Sequence, residues 1–210
     1  MLMKKIFDRY DKNLIADLPR AIFEGKIVVI VSESAAKKVV QHLMKQSLLG
    51  FDTETRPTFL KGKTNKVSLL QVCTDNNTCY LFRLCRISLP SCLVKLLSDT
   101  RITKLGLSWH DDLHALMGRK TFHAGTFIDL QDLAAQMGIQ DQSLQKLYAN
   151  ILGRKIAKGQ RLSNWDADCL SEAQMRYAAT DAWACIRLYK EMKRMQEEGY
   201  SLIKSEEMKE

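Results

Sequence analysis

Acidic side chains sit inside apolar stretches of this chain, and that restricts how it can fold. Asp52 and Glu54 end the run LLGFDTET, Asp112 lies in KLGLSWHDDLHAL, and Tyr177 and Asp181 lie in QMRYAATDAW. Residues 48–53 read as a buried strand. Residues two apart on a strand point to the same face, so Asp52 and Glu54 project together. Tyr177 and Asp181, four apart in a helical stretch, share a helix face. A carboxylate set in an apolar segment is costly unless it is paired or holds a cation. The fold is therefore expected to gather the three segments into one site, and oxygen donors suit hard divalent ions such as Mg²⁺ or Mn²⁺.

The rest of the chain supplies a frame for such a site. KIVVIV at 26–31 predicts a strand, followed by an amphipathic helix over 33–46 with Ser32 as its cap. Residues 67–73 and 78–82 predict a strand pair turned by Asp75-Asn76-Asn77. A helix over 91–98, a strand over 102–107 and a helix from 111 to 117 come next. The second half is mainly helical, at 130–137, 143–151 and 171–197. The charged tail from residue 199 onward is expected to fray. Strands with interposed helices, then a helical half, predict an α/β fold with a mixed sheet flanked by helices.

Composition narrows the partners. The chain has 210 residues, with 32 basic against 24 acidic side chains and a formal charge of +8. That balance fits a polyanionic partner. No apolar run approaches the ~20 residues of a membrane span, and no apolar core follows Lys4 and Lys5, so neither a membrane partner nor a secretory signal is expected. None of the six cysteines forms a C-x-x-C pair. Free buried thiols are the reading, and they suit a reducing, cytoplasmic setting.

The order D-x-E, a second Asp, then Y-x-x-x-D resembles the three motifs of the DEDD superfamily of 3′-5′ exonucleases, tyrosine subclass. The stretch SNWDADCLSEAQMRYAATDAWACIRLY is especially similar to ribonuclease D and Werner-type exonuclease domains, and the similarity runs from about Ile27 to Tyr189. The resemblance implies a ribonuclease H-like fold in a single domain over 1–210, with its core at about 20–195. It implies a metal-dependent exonuclease that acts on DNA or RNA 3′ ends with two divalent ions, Mg²⁺ or Mn²⁺, and releases nucleoside 5′-monophosphates. Asp52, Glu54, Asp112 and Asp181 would hold the metals, and Tyr177 would orient the attacking water. Asp112 is preferred over Asp111 because it stands six residues after Gly106 and just before Leu113. Arg176 occupies the position where the histidine subclass carries its base.

Substrate contacts are assigned to Thr53, Trp109, His110, Lys155, Lys158 and Arg161, with Phe59 a further candidate to stack on a terminal base. Trp165 is read as packing. His110 and His114 have the spacing of H-E-x-x-H, but Asp replaces Glu and no third ligand follows, which speaks against a zinc hydrolase. The alternative function is a catalytically inactive, exonuclease-like module that binds nucleic acid.

Overall fold

The computed structural model describes residues 3–60, 62–157 and 159–205. The chain begins with β1 (Lys4–Phe7), a 3-10 turn at Lys12–Ile15, β2 (Lys26–Ile30) and α1 (Glu33–Leu43). Next come β3 (Leu48–Thr55), β4 (Val67–Thr74), β5 (Thr78–Phe82), α2 (Leu84–Ile87) and α3 (Ser91–Ser98). Then follow β6 (Thr103–Gly106), α4 (Trp109–Met117), β7 (Phe127–Asp129), α5 (Leu130–Gln136), α6 (Leu144–Leu152), α7 (Glu172–Glu198) and β8 (Tyr200–Ile203).

Six strands form one mixed sheet in the order β2-β5-β4-β3-β6-β7. Only β4 runs against its neighbours, pairing antiparallel with both β3 and β5. The C-terminal ends of the other five strands therefore lie along one edge, and β3 brings Asp52 and Glu54 to it. Alternation along β3 divides the core. Leu49 and Phe51 face the layer built by α1, α3 and α4, while Gly50 and Asp52 face α7. β4 is buried at all eight positions, as expected of a central strand covered on both sides.

Helix α7 lies close on the sheet because small residues meet there. Ala178, Ala179 and Ala182 are buried, and a Cβ on Gly50 would stand 2.1 Å from the Ala182 carbonyl oxygen. Ser171 and Gln174 form a capping box at its start. The fold agrees with the expected α/β class, and Ser32 caps α1 as its sequence implies.

Several boundaries differ from expectation. β3 continues to Thr55, so Glu54 is inside the strand, and α4 starts two residues early, at Trp109. The tail does not fray where it was expected to: Tyr200–Ile203 pairs in parallel with β1 as a second, two-stranded sheet. The expectation failed because this strand has no local partner; its backbone bonds go to the opposite end of the chain. All six cysteines are unpaired, with Cys73, Cys79 and Cys185 buried. Among the described residues no helix is long and apolar enough to cross a membrane.

Candidate active site

Asp52, Glu54 and Asp181 offer carboxylate oxygens that all lie within 4.8 Å of one another. β3 supplies the first two and the overlying face of α7 the third. Burial raises the Asp52 carboxyl well above its ordinary range, and Asp181, Glu54 and Asp112 add to it by repulsion. The same causes push Glu54 up to about 9, opposed by the charge of Arg161. Desolvation lifts Asp181 to about 7, with Tyr177 acting against the rise. Asp181 Oδ1 is buried and has no hydrogen-bond partner. Directly across from Asp52, Gln71 is also buried with neither amide atom bonded. Buried acids short of positive charge, with polar atoms left unsatisfied, fit a hard divalent cation bound by oxygen.

Asp112 stands beside this triad on the first turns of α4, turned inward, whereas Asp111 is exposed. The Thr53 hydroxyl donates to Asp112 Oδ1 and lowers its carboxyl, yet burial still raises it to about 6. Thr53 thus fixes a candidate ligand from the strand that carries Asp52 and Glu54. Helix α4 is itself held by Asp129, a residue not singled out from the sequence. The N–H groups of Ser108 and Trp109 donate to the Asp129 carboxylate at 3.1 and 2.9 Å, and that of Gln131 at 2.9 Å. One carboxylate therefore caps the starts of α4 and α5. Ser108 itself sits in the left-handed region, with φ of 59°. An acid at a strand end just before a helical pattern, as in FIDL, was the available signal.

Tyr177 lies one turn before Asp181, and its phenol is raised well above its ordinary value by burial and by the carboxylates Asp181, Glu54 and Asp52. Its ring lies 6.2 Å from that of Trp165, which is fully buried as packing. The Ser163-Asn164 segment is tied to the start of α7: Gln174 Nε2 donates to Ser163 Oγ at 3.0 Å and to the Asn164 carbonyl at 3.2 Å. Buried Arg83 holds the next residues by donating to the Ala167 and Asp168 carbonyls.

The substrate-contact candidates divide. Arg161 is exposed and acts on Glu54, and His110 is exposed at the start of α4. Trp109 is corrected: only 3% exposed, it packs on Phe51 and Phe127 over Gly106 and offers no face to a base. The early start of α4 turns it into the core. Lys155 is also placed elsewhere, its ammonium donating to the Ala16 carbonyl. Phe59 is exposed, and Lys158 lies outside the described residues.

Fold and carboxylates together define a class: a ribonuclease H-like α/β domain with an acidic centre at the strand-end edge of its sheet. Comparison with known proteins gives the family. A 3′-5′ exonuclease family profile matches residues 27–197. The mouse (Mus musculus) bifunctional 3′-5′ exonuclease/ATP-dependent helicase WRN is 30% identical over 208 residues, covering 93% of this chain and 15% of that protein. A 3′-5′ exonuclease of Arabidopsis thaliana is 30% identical over 192 residues, covering 84% of this chain and 67% of its own length. The EXO domain of Aedes aegypti Nibbler superposes with a TM-score of 0.75 at 24% identity, over 85% of this chain and 92% of that one. The chain belongs to the 3′-5′ exonuclease family, hydrolases of phosphodiester bonds.

Proposed function

We propose that this protein removes nucleoside 5′-monophosphates one at a time from the 3′ end of a DNA or RNA strand, with two divalent cations at the acidic centre. The observation that carries the reading is the convergence of Asp52, Glu54 and Asp181 within 4.8 Å. Asp52, Glu54 and Asp181 would hold one ion, and Asp52 with Asp112 the other. When bound, such ions activate water and neutralise charge on the leaving oxygen.

The chain's own residues supply the rest. Tyr177 is positioned at the carboxylates, where its hydroxyl would orient the attacking water by hydrogen bonding, the role expected of the tyrosine subclass. Thr53 keeps Asp112 turned inward. Arg161, exposed and acting on Glu54, would meet a substrate phosphate, and His110, exposed at the start of α4 two residues before Asp112, would be a second contact.

The test uses 5′-labelled single strands of DNA and RNA with Mg²⁺, Mn²⁺ or EDTA. A ladder shortening from the 3′ end in metal, absent in EDTA and absent for Asp52→Asn, is expected. The faster of the two strands identifies the preferred sugar. No ladder in either metal, with strand binding kept in EDTA, would establish an inactive binding module instead.

A further inference from the structure

Away from the acidic centre, α7 borders a cavity of about 500 Å³ lined by Arg20, Arg154, Arg187, Tyr148, Trp183 and a single acid, Glu24. Arg20, Arg154 and Arg187 are exposed, and among the described residues none of them forms an ion pair with a carboxylate. Several arginines elsewhere are engaged: Arg86, Arg101, Arg176 and Arg194 pair with acids, and Arg119 donates to the Val67 carbonyl. The Arg187 guanidinium stacks 5.9 Å from the centre of the Trp183 ring, which fixes its position and covers that face. Three fixed or free guanidinium groups on one concave surface, opposed by one carboxylate, form a receptor for an extended polyanion.

The cavity lies toward the sheet edge opposite the acidic centre, beside Gly25 and Asn77, and connects to that centre through a neighbouring cavity. A second cavity of about 330 Å³ shares Arg20, Ala21 and Ile22 with it and is lined at its far side by Arg176 and Tyr177. From Tyr177 to Arg187 is ten residues of α7, about 15 Å at the helical rise. With phosphates about 3.4 Å apart along one stacked strand, that distance spans roughly four of them. We propose that Arg20, Arg154 and Arg187 hold the phosphodiester backbone of the substrate strand on the 5′ side of the residue being removed. The contact is to phosphates and carries no base preference, because the aromatic face in the cavity is already covered by Arg187. This inference rests on the exonuclease reading and adds to it a requirement for length: strands reaching past about four nucleotides gain a contact that shorter ones lack.

The test compares wild type with the Arg154→Ala/Arg187→Ala double variant on 5′-labelled strands of two and twelve nucleotides. Wild type should show a lower KM for the longer strand. The double variant should cleave the dinucleotide as wild type does, and its KM for the twelve-nucleotide strand should rise roughly tenfold. The Arg154→Lys/Arg187→Lys double variant should recover part of that loss. Binding of the longer strand in EDTA, followed by fluorescence anisotropy, reads the contact without cleavage. There the slope of log affinity against log salt should shrink by roughly 1.4 for two lost phosphate contacts. Equal loss on both lengths would make the arginines merely structural, and an unchanged affinity and salt slope would overturn the proposal. If wild type binds with the expected slope but cleaves neither strand, the exonuclease reading fails while the groove stands.

Discussion

Glu54 and Asp181 are buried acids whose desolvation outweighs the one opposing charge, Arg161 beside Glu54, and that makes the metal-free protein respond to pH against the usual sense. In the folded chain Asp181 titrates at about 7 and Glu54 at about 9, against ordinary values of 3.8 and 4.5. Between those values the folded state holds protons that the unfolded state has lost. Their contribution to stability is thus full below about pH 4 and falls away as pH rises through 7 and then 9. In chelator, the urea midpoint should drop between pH 5 and 9. Asp181→Asn should flatten the lower part of that drop, and saturating Mg²⁺ should flatten all of it. A metal-free midpoint that climbed with pH would contradict this electrostatic account. The site residues were legible in the sequence because the spacings Asp52–Glu54, two on a strand, and Tyr177–Asp181, four on a helix, are local. The burial of Trp109 was not, since it depends on Gly106 leaving room and on Phe51 and Phe127 arriving from other strands.

At the scale of elements, Asp129 decides where α4 begins and hence where Asp112 points. Three backbone N–H groups converge on its carboxylate from two helices. Asp129→Ala leaves all three without that acceptor, and should cost about 2–4 kcal/mol in urea denaturation. The loss should be accompanied by slower cleavage, because Asp112 rides on the same helix. A cost under about 0.5 kcal/mol, on the scale of an ordinary surface change, would mean that solvent replaces the cap. The longer elements could be read from pattern: α1, α3, α5, α6 and α7 fall close to the ranges that apolar periodicity predicts. β7 could not, as three residues are too few to show a period. Its existence follows from parallel pairing with β6, in which Gly106 stands opposite Asp129 itself.

The whole molecule is closed by the pairing of its two ends. Residues 4–7 of β1 run in register with 200–203 of β8. Asp8 extends the clasp: its N–H donates to the Ile203 carbonyl at 3.0 Å, and its carboxylate accepts from the Ser205 N–H at 2.8 Å. Gly138, with φ of 84°, makes room for Leu202 of β8. Local pattern suggested a loose tail because four residues, YSLI, leading into a charged run have no reason to be a strand until their distant partner is in place. Ending the chain at Gly199 would expose Ile6, which is fully buried, and strip β1 of its partner. That truncation should lower stability by about 2–4 kcal/mol, with divalent-cation affinity unchanged since the acidic centre is built from β3, α4 and α7 and takes no residue from β1 or β8. An unaltered melting temperature would show that the clasp contributes nothing to closure.

The central claim is that Asp52, Glu54 and Asp181 form a divalent-cation site, and calorimetric titration of Mn²⁺ into the metal-free protein tests it most directly. Wild type should bind saturably, and Asp52→Asn, folded to the same degree by circular dichroism, should lose most of that affinity. Equal Mn²⁺ binding by both proteins, or none by wild type at millimolar Mn²⁺, would contradict the assignment of these carboxylates as the metal centre.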